Sequence, residues 1–92
     1  MKPTLRFFML PNCPHCKNAL RYMEELRAEN PEYTQVAITT VNEAEQPEEA
    51  KQFAYYYVPT FYLEKSKLHE GVPSKDIIRG VFDQYLAAQA KK

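Results

Sequence analysis

A strand buried on both sides that runs straight into a helix constrains this chain more than any other feature. Thr4 to Leu10 carries large apolar residues on both alternating faces, the pattern of a strand covered above and below. Pro11-Asn12 stops it. From Pro14 the period changes: Cys16, Ala19, Leu20, Met23 and Leu26 recur at helical spacing, while Lys17, Arg21, Glu24, Glu25 and Arg27 fall elsewhere. Pro14 suits the first helical position, which makes Cys13 the N-cap. Asn30-Pro31 ends this helix.

The remaining chain supplies the cover such a strand needs. Gln35 to Val41 is β-branched and reads as a second strand. Glu45 to Tyr57 carries Ala50, Phe53, Ala54 and Tyr57 at helical spacing, with Pro47 near its start. Thr60 to Leu63 reads as a third strand. Lys67 to Glu70 reads as a short fourth strand, reached through a tight turn at Lys65-Ser66. Ser74 can cap a final helix, with Asp76 favourable in its first turn. Its apolar stripe is Ile77, Ile78, Val81, Phe82, Tyr85 and Leu86, and the last five residues, Ala88 to Lys92, are expected to fray. The order β-α-β-α-β-β-α predicts an α/β fold. Its first half needs a right-handed crossover between parallel strands, and its last two strands are close enough to pair antiparallel. A four-stranded mixed sheet with three helices, placed on both faces, buries all three apolar stripes.

With 92 residues, one domain spanning residues 1–92 is expected, with no room for a second cofactor-binding domain. Twelve basic residues balance twelve acidic ones, so nothing electrostatic points to nucleic acid or to an anionic membrane as partner. The apolar run Phe7 to Pro11 is too short for a signal h-region or a membrane span. A cytoplasmic monomer is the resulting expectation.

The chain has two cysteines, Cys13 and Cys16. Closing so short a loop removes little unfolded-state entropy, so the pair makes a poor structural staple. In a reducing compartment such a pair is catalytic or metal-binding. The nucleophile in disulfide exchange is the thiolate. A cysteine at a helix N-cap faces the unsatisfied N–H groups of the first turn, here those of His15 and Cys16, and the positive end of the helix dipole. Both favour the Cys13 thiolate. Cys16 sits one turn on, at an i,i+3 separation of about 5–6 Å, close enough to bridge after slight adjustment. Its place on the apolar stripe predicts a less exposed, more ordinary thiol that waits to resolve a mixed disulfide formed at Cys13. Pro14 stiffens the turn, and His15 can stabilise the thiolate. A structural zinc site takes four protein ligands. Beyond the two thiols only His15, inside the motif, and distant His69 remain, so no metal is expected.

With Cys13-Pro14-His15-Cys16 placed between strand and helix, the chain resembles the thioredoxin superfamily. Phe7 to Lys17 matches the family's strand, motif and following basic residue. Val58-Pro59-Thr60-Phe61 matches its second signature, and Glu70 to Lys75 resembles the segment leading into the last helix. The start directly at the first strand is similar to glutaredoxins. The Pro-His pair between the cysteines resembles the family's periplasmic oxidant. The resemblance implies a thioredoxin-like fold and dithiol–disulfide exchange, with Cys13 as nucleophile and Cys16 as resolver. It also implies a cis peptide at Pro59 and substrate-backbone contact at Val58, Pro59 and Thr60. No cofactor is implied beyond the redox-active pair itself. Partners would be protein or small-molecule disulfides, with a thiol or flavoprotein reductase as electron donor.

Two departures follow. Thioredoxins carry a buried acid six residues before the nucleophile, and Phe7 stands there, leaving water or His15 to take the resolving proton. Glutaredoxins show a Gly-Gly pair that receives glutathione, and this chain has Gly71-Val72. A glutathione-linked glutaredoxin is therefore the alternative enzyme, and a non-catalytic metal- or partner-binding module the alternative of another class. Lys17 and Arg21 could tune Cys13 or steer substrates, although a solvated helix face is the commoner role. Tyr55, Tyr56 and Tyr57 read first as packing, His69 as an exposed edge residue, and Glu43 to Glu49 as a solvated acidic run.

Overall fold

The computed structural model describes residues 3–90. The chain runs β1 (Leu5–Met9), α1 (Pro14–Glu29), a 3-10 turn (Pro31–Gln35), β2 (Ile38–Asn42), α2 (Pro47–Ala50), β3 (Thr60–Leu63), β4 (Ser66–Glu70) and α3 (Lys75–Ala90). The four strands form one mixed sheet in the order β2-β1-β3-β4. β1 pairs parallel with β2 and antiparallel with β3, while β3 pairs antiparallel with β4. The expected α/β architecture is present, strand for strand.

β1 is central, and its alternation divides the core. Leu5 and Phe7 point to the side where α1 and α3 pack, joining Ala19, Met23, Leu26, Phe61, Ile78, Val81, Phe82 and Tyr85. Phe8 points the other way, onto Val41 and Tyr62, under Ala50, Phe53 and Tyr55. Both faces are therefore dry, as the two-sided apolar run of β1 requires. Each such large side chain taken from water stabilises by about 1.5–3 kcal/mol. Lys75 ties the two long helices together through Glu25 at 3.3 Å and through Glu29.

The sequence pattern misplaced three boundaries. The helix expected over 45–57 closes after Ala50. Phe53 and Tyr55, two residues apart, both pack on Phe8, with ring centroids at 5.1 and 4.8 Å. Side chains at i and i+2 share a face only in extended chain, so this aromatic pair overrides the helical spacing. The second strand starts at Ile38 instead of Gln35 because Asn30 Oδ1 accepts the Glu32 amide and opens the 3-10 turn. The β3–β4 turn falls on Glu64-Lys65 rather than Lys65-Ser66. Glu64 adopts a φ of 55°, a left-handed conformation that costs a non-glycine residue about 1–3 kcal/mol. Two bonds to Thr4, one from the Glu64 amide and one to its carboxylate, hold it there at 2.8 Å each.

The final helix begins as expected, with Ser74 Oγ accepting the Ile77 amide at 3.1 Å. It stays helical through Ala90, so the fraying expected from Ala88 does not occur as far as that residue; Lys91 and Lys92 lie outside the described residues.

Candidate active site

The chain leaves β1 at Met9 and tightens into a turn, with the Cys13 amide donating to the Leu10 carbonyl at 3.3 Å. Cys13 keeps extended backbone angles and caps α1, while Pro14 takes the first helical position. The cap is made by sulfur: the Cys16 amide donates to Cys13 Sγ at 3.3 Å. A sulfur so placed has an N–H and the opening of the helix aimed at it. Of the two first-turn amides expected to face it, that of Cys16 makes the bond. Cys13 Sγ also lies 3.8 Å from the Val58 carbonyl oxygen, to which the protonated thiol donates.

Both cysteines are free thiols, Cys13 half-buried and Cys16 buried, with only 1% of Cys16 exposed. Burial, and then its hydrogen bond with Cys13, pushes the Cys16 thiol up to about 12. The negative charge of Glu43 pushes in the same direction, while the Leu10 backbone amide opposes it. The two sulfurs are thus neighbours with different tasks: one reaches solvent, and the other stays protonated beneath it. On reduced protein at neutral pH, iodoacetamide should label Cys13 while Cys16 remains unmodified unless the fold opens. Peptide mapping after a timed quench reads this, and equal labelling of both positions would contradict the burial.

Val58 and Pro59 close the other side of the thiol. Their peptide bond is cis, as the resemblance implied. Pro59 immediately precedes β3 and is itself buried, and its carbonyl accepts the Gly71 amide at 2.9 Å. Thr60 was expected to meet substrate. Its side chain is instead fully buried, with the hydroxyl donating to the Tyr57 carbonyl, so it braces the loop from below. His15 and Lys17 are both exposed. Among the described residues neither makes a hydrogen bond or ion pair with Cys13. Phe7, where an acid would stand in thioredoxins, is sealed and stacked on Phe61 at 5.1 Å. Among the described residues no group of three or more His, Cys, Asp or Glu side chains converges as a metal site. His69 is half-buried, not exposed, with Nε2 3.0 Å from the Val72 carbonyl oxygen.

Two carboxylates escaped the sequence reading. Glu43 is half-buried and accepts the Tyr55 hydroxyl at 2.6 Å, so it is no solvated member of an acidic run. Glu70 accepts the backbone amides of both Tyr56 and Tyr57, while Lys67 Nζ sits 2.7 Å from its other oxygen. Spacing could not reveal either contact, because both partners come from elsewhere in the chain.

The Lys67 ammonium first, and then the two amides, hold the Glu70 carboxyl down at about 2. A carboxyl lower in the folded than in the unfolded chain stabilises fully above the unfolded value. That stabilisation fades as the pH falls toward the folded one. NMR titration of the Glu70 side-chain carbonyl should therefore show a midpoint near 2 rather than at the ordinary 4.5.

The family model described as Thioredoxin matches residues 1–88. A thioredoxin of Methanocaldococcus jannaschii is 31% identical over 77 residues, covering 84% of this chain and 88% of that protein. Among solved structures, the oxidised thioredoxin of Plasmodium falciparum superposes with a TM-score of 0.67 at 20% identity, covering 91% of this chain and 81% of that one. The reduced desulfothioredoxin of Desulfovibrio vulgaris Hildenborough gives 0.64 at 26% identity, covering 91% and 82%. By this match over nearly its whole length, the chain belongs to the thioredoxin family as a thioredoxin-like redox protein.

Proposed function

We propose that this protein is a thiol–disulfide oxidoreductase that reduces disulfides of proteins or small molecules through Cys13 and Cys16. The observation that carries the reading is the pairing of an accessible, amide-capped sulfur with a buried protonated one. The Cys13 thiolate attacks one substrate sulfur. The substrate S–S bond breaks, a mixed disulfide forms at Cys13, and the departing sulfur takes a proton. Cys16 then loses its proton and attacks the Cys13 sulfur, releasing the second substrate sulfur as a thiol. Two electrons pass to the substrate, and the chain is left with a Cys13–Cys16 disulfide.

The Cys16 thiol at about 12 cannot ionise ahead of time at neutral pH. Its proton leaves during the second attack, and with Phe7 in place of an acid, water at the exposed rim is the acceptor this reading assigns. Val58 offers backbone to an extended substrate lying across Cys13, and Pro59, buried behind it with its carbonyl held by the Gly71 amide, fixes that peptide in place. Pro14 rigidifies the turn, and His15 and Lys17 act from the exposed rim. The oxidised chain is returned to the dithiol by a thiol or a flavoprotein reductase. Dithiothreitol-driven reduction of insulin tests the assignment: turnover that persists without glutathione supports it, and activity seen only with glutathione favours a glutaredoxin.

A further inference from the structure

The loop that faces Cys13 is anchored by burial at Pro59 and by packing of Val58 on the core, but not at the two residues before them. Tyr56 is 91% exposed and Tyr57 70% exposed, so burial does not fix the backbone between them and Val58. Hydrogen bonds do. Thr60 holds the Tyr57 carbonyl from below, and the Gly71 amide holds the Pro59 carbonyl. The remaining hold comes from a side chain on β4: Glu70 Oε2 accepts the Tyr56 and Tyr57 amides together. Glu70 is the last residue of β4 and pairs in register with Thr60, so the sheet sets where its carboxylate stands. Lys67 occupies Oε1 and leaves Oε2 turned to the loop.

We propose that Glu70 is a positioning residue for substrate recognition. By gathering two successive amides at one oxygen, it sets the Val58 peptide against the Cys13 thiol with two exposed tyrosine rings alongside. It thereby governs affinity for disulfides carried on extended polypeptide, and not the sulfur chemistry. This rests on the oxidoreductase reading above. A small disulfide needs only the thiol; a peptide must also lie along Val58 and the rings. Loss of the carboxylate frees both amides and lets the loop sample positions that peptides do not fit.

The test compares wild type, Glu70→Ala and Glu70→Gln on insulin and on a small aromatic disulfide. Glutamine keeps a carbonyl oxygen able to accept both amides, while alanine keeps nothing. Glu70→Ala should raise KM for insulin about tenfold with kcat and the small-disulfide rate unchanged. Glu70→Gln should stay within about twofold of wild type on both. If alanine prevents folding, Glu70→Asp, one methylene short of the amides, carries the same expectation. Equal losses on both substrates, or alanine and glutamine variants that behave alike, would overturn the positioning role. A wild type inactive on both disulfides would instead overturn the oxidoreductase reading, so the two failures are distinct.

Discussion

Cys13→Ser should lose disulfide turnover by on the order of 10³-fold or more, because a hydroxyl in that place offers no thiolate to attack sulfur. Cys16→Ser should fail differently. Its Cys13 keeps the solvent-facing position and still attacks, but nothing stands behind it to resolve the product. The variant should stop after one encounter as a mixed disulfide, visible as a covalent adduct on non-reducing gels and released by dithiothreitol. It should also be less stable by about 1–3 kcal/mol, since a hydroxyl replaces a thiol where only 1% of the residue is exposed. Full turnover by Cys16→Ser on protein disulfides would rule out the two-sulfur cycle.

Phe61→Ala should cost about 3–5 kcal/mol, the range for emptying a buried aromatic site. Phe61 is fully buried, stacks on Phe7 at 5.1 Å and belongs to the core shared with α1 and α3. Its strand neighbours are fixed by hydrogen bonding on both sides, so the hole cannot close by a simple shift. Domains of this size hold only about 5–15 kcal/mol in all. At about 4–8 °C per kcal/mol, the melting temperature should fall by about 12–40 °C. Calorimetry or thermal circular dichroism reads this directly. A fall of only a few degrees would mean the sheet repacks, and Phe61 does not hold the core in the way its burial implies.

What could be read from the sequence were features written locally. The β1-to-α1 junction was legible because apolar period, Pro14 and the cysteine pair fall within a few residues of one another. The Ser74 cap was legible for the same reason. The segment between Pro47 and Pro59 was not. Phe53 and Tyr55 choose extended chain because Phe8, some 45 residues earlier, presents a ring to both. The sequence pattern also placed Cys13 at the cap of α1, Cys16 on the buried stripe and Pro59 after a cis bond, because those motifs are contiguous. It could not find Glu43 or Glu70. Each looks like an ordinary surface acid until the fold sets it against Tyr55 or against the amides of Tyr56 and Tyr57. Thr60 erred the other way: its place next to Pro59 suggested substrate contact, yet strand alternation turns the hydroxyl inward.

The most direct measurement is an equilibrium titration of the protein in graded mixtures of reduced and oxidised dithiothreitol. Each sample is quenched in acid, unfolded in denaturant, alkylated and weighed by mass spectrometry. Adjacent sulfurs at the opening of α1 should disappear as alkylatable thiols together, in a single two-electron transition that reverses on reduction. Thiols that both persist through the most oxidising mixtures, or Cys13 consumed alone as an adduct while Cys16 stays free, would contradict the shared redox centre.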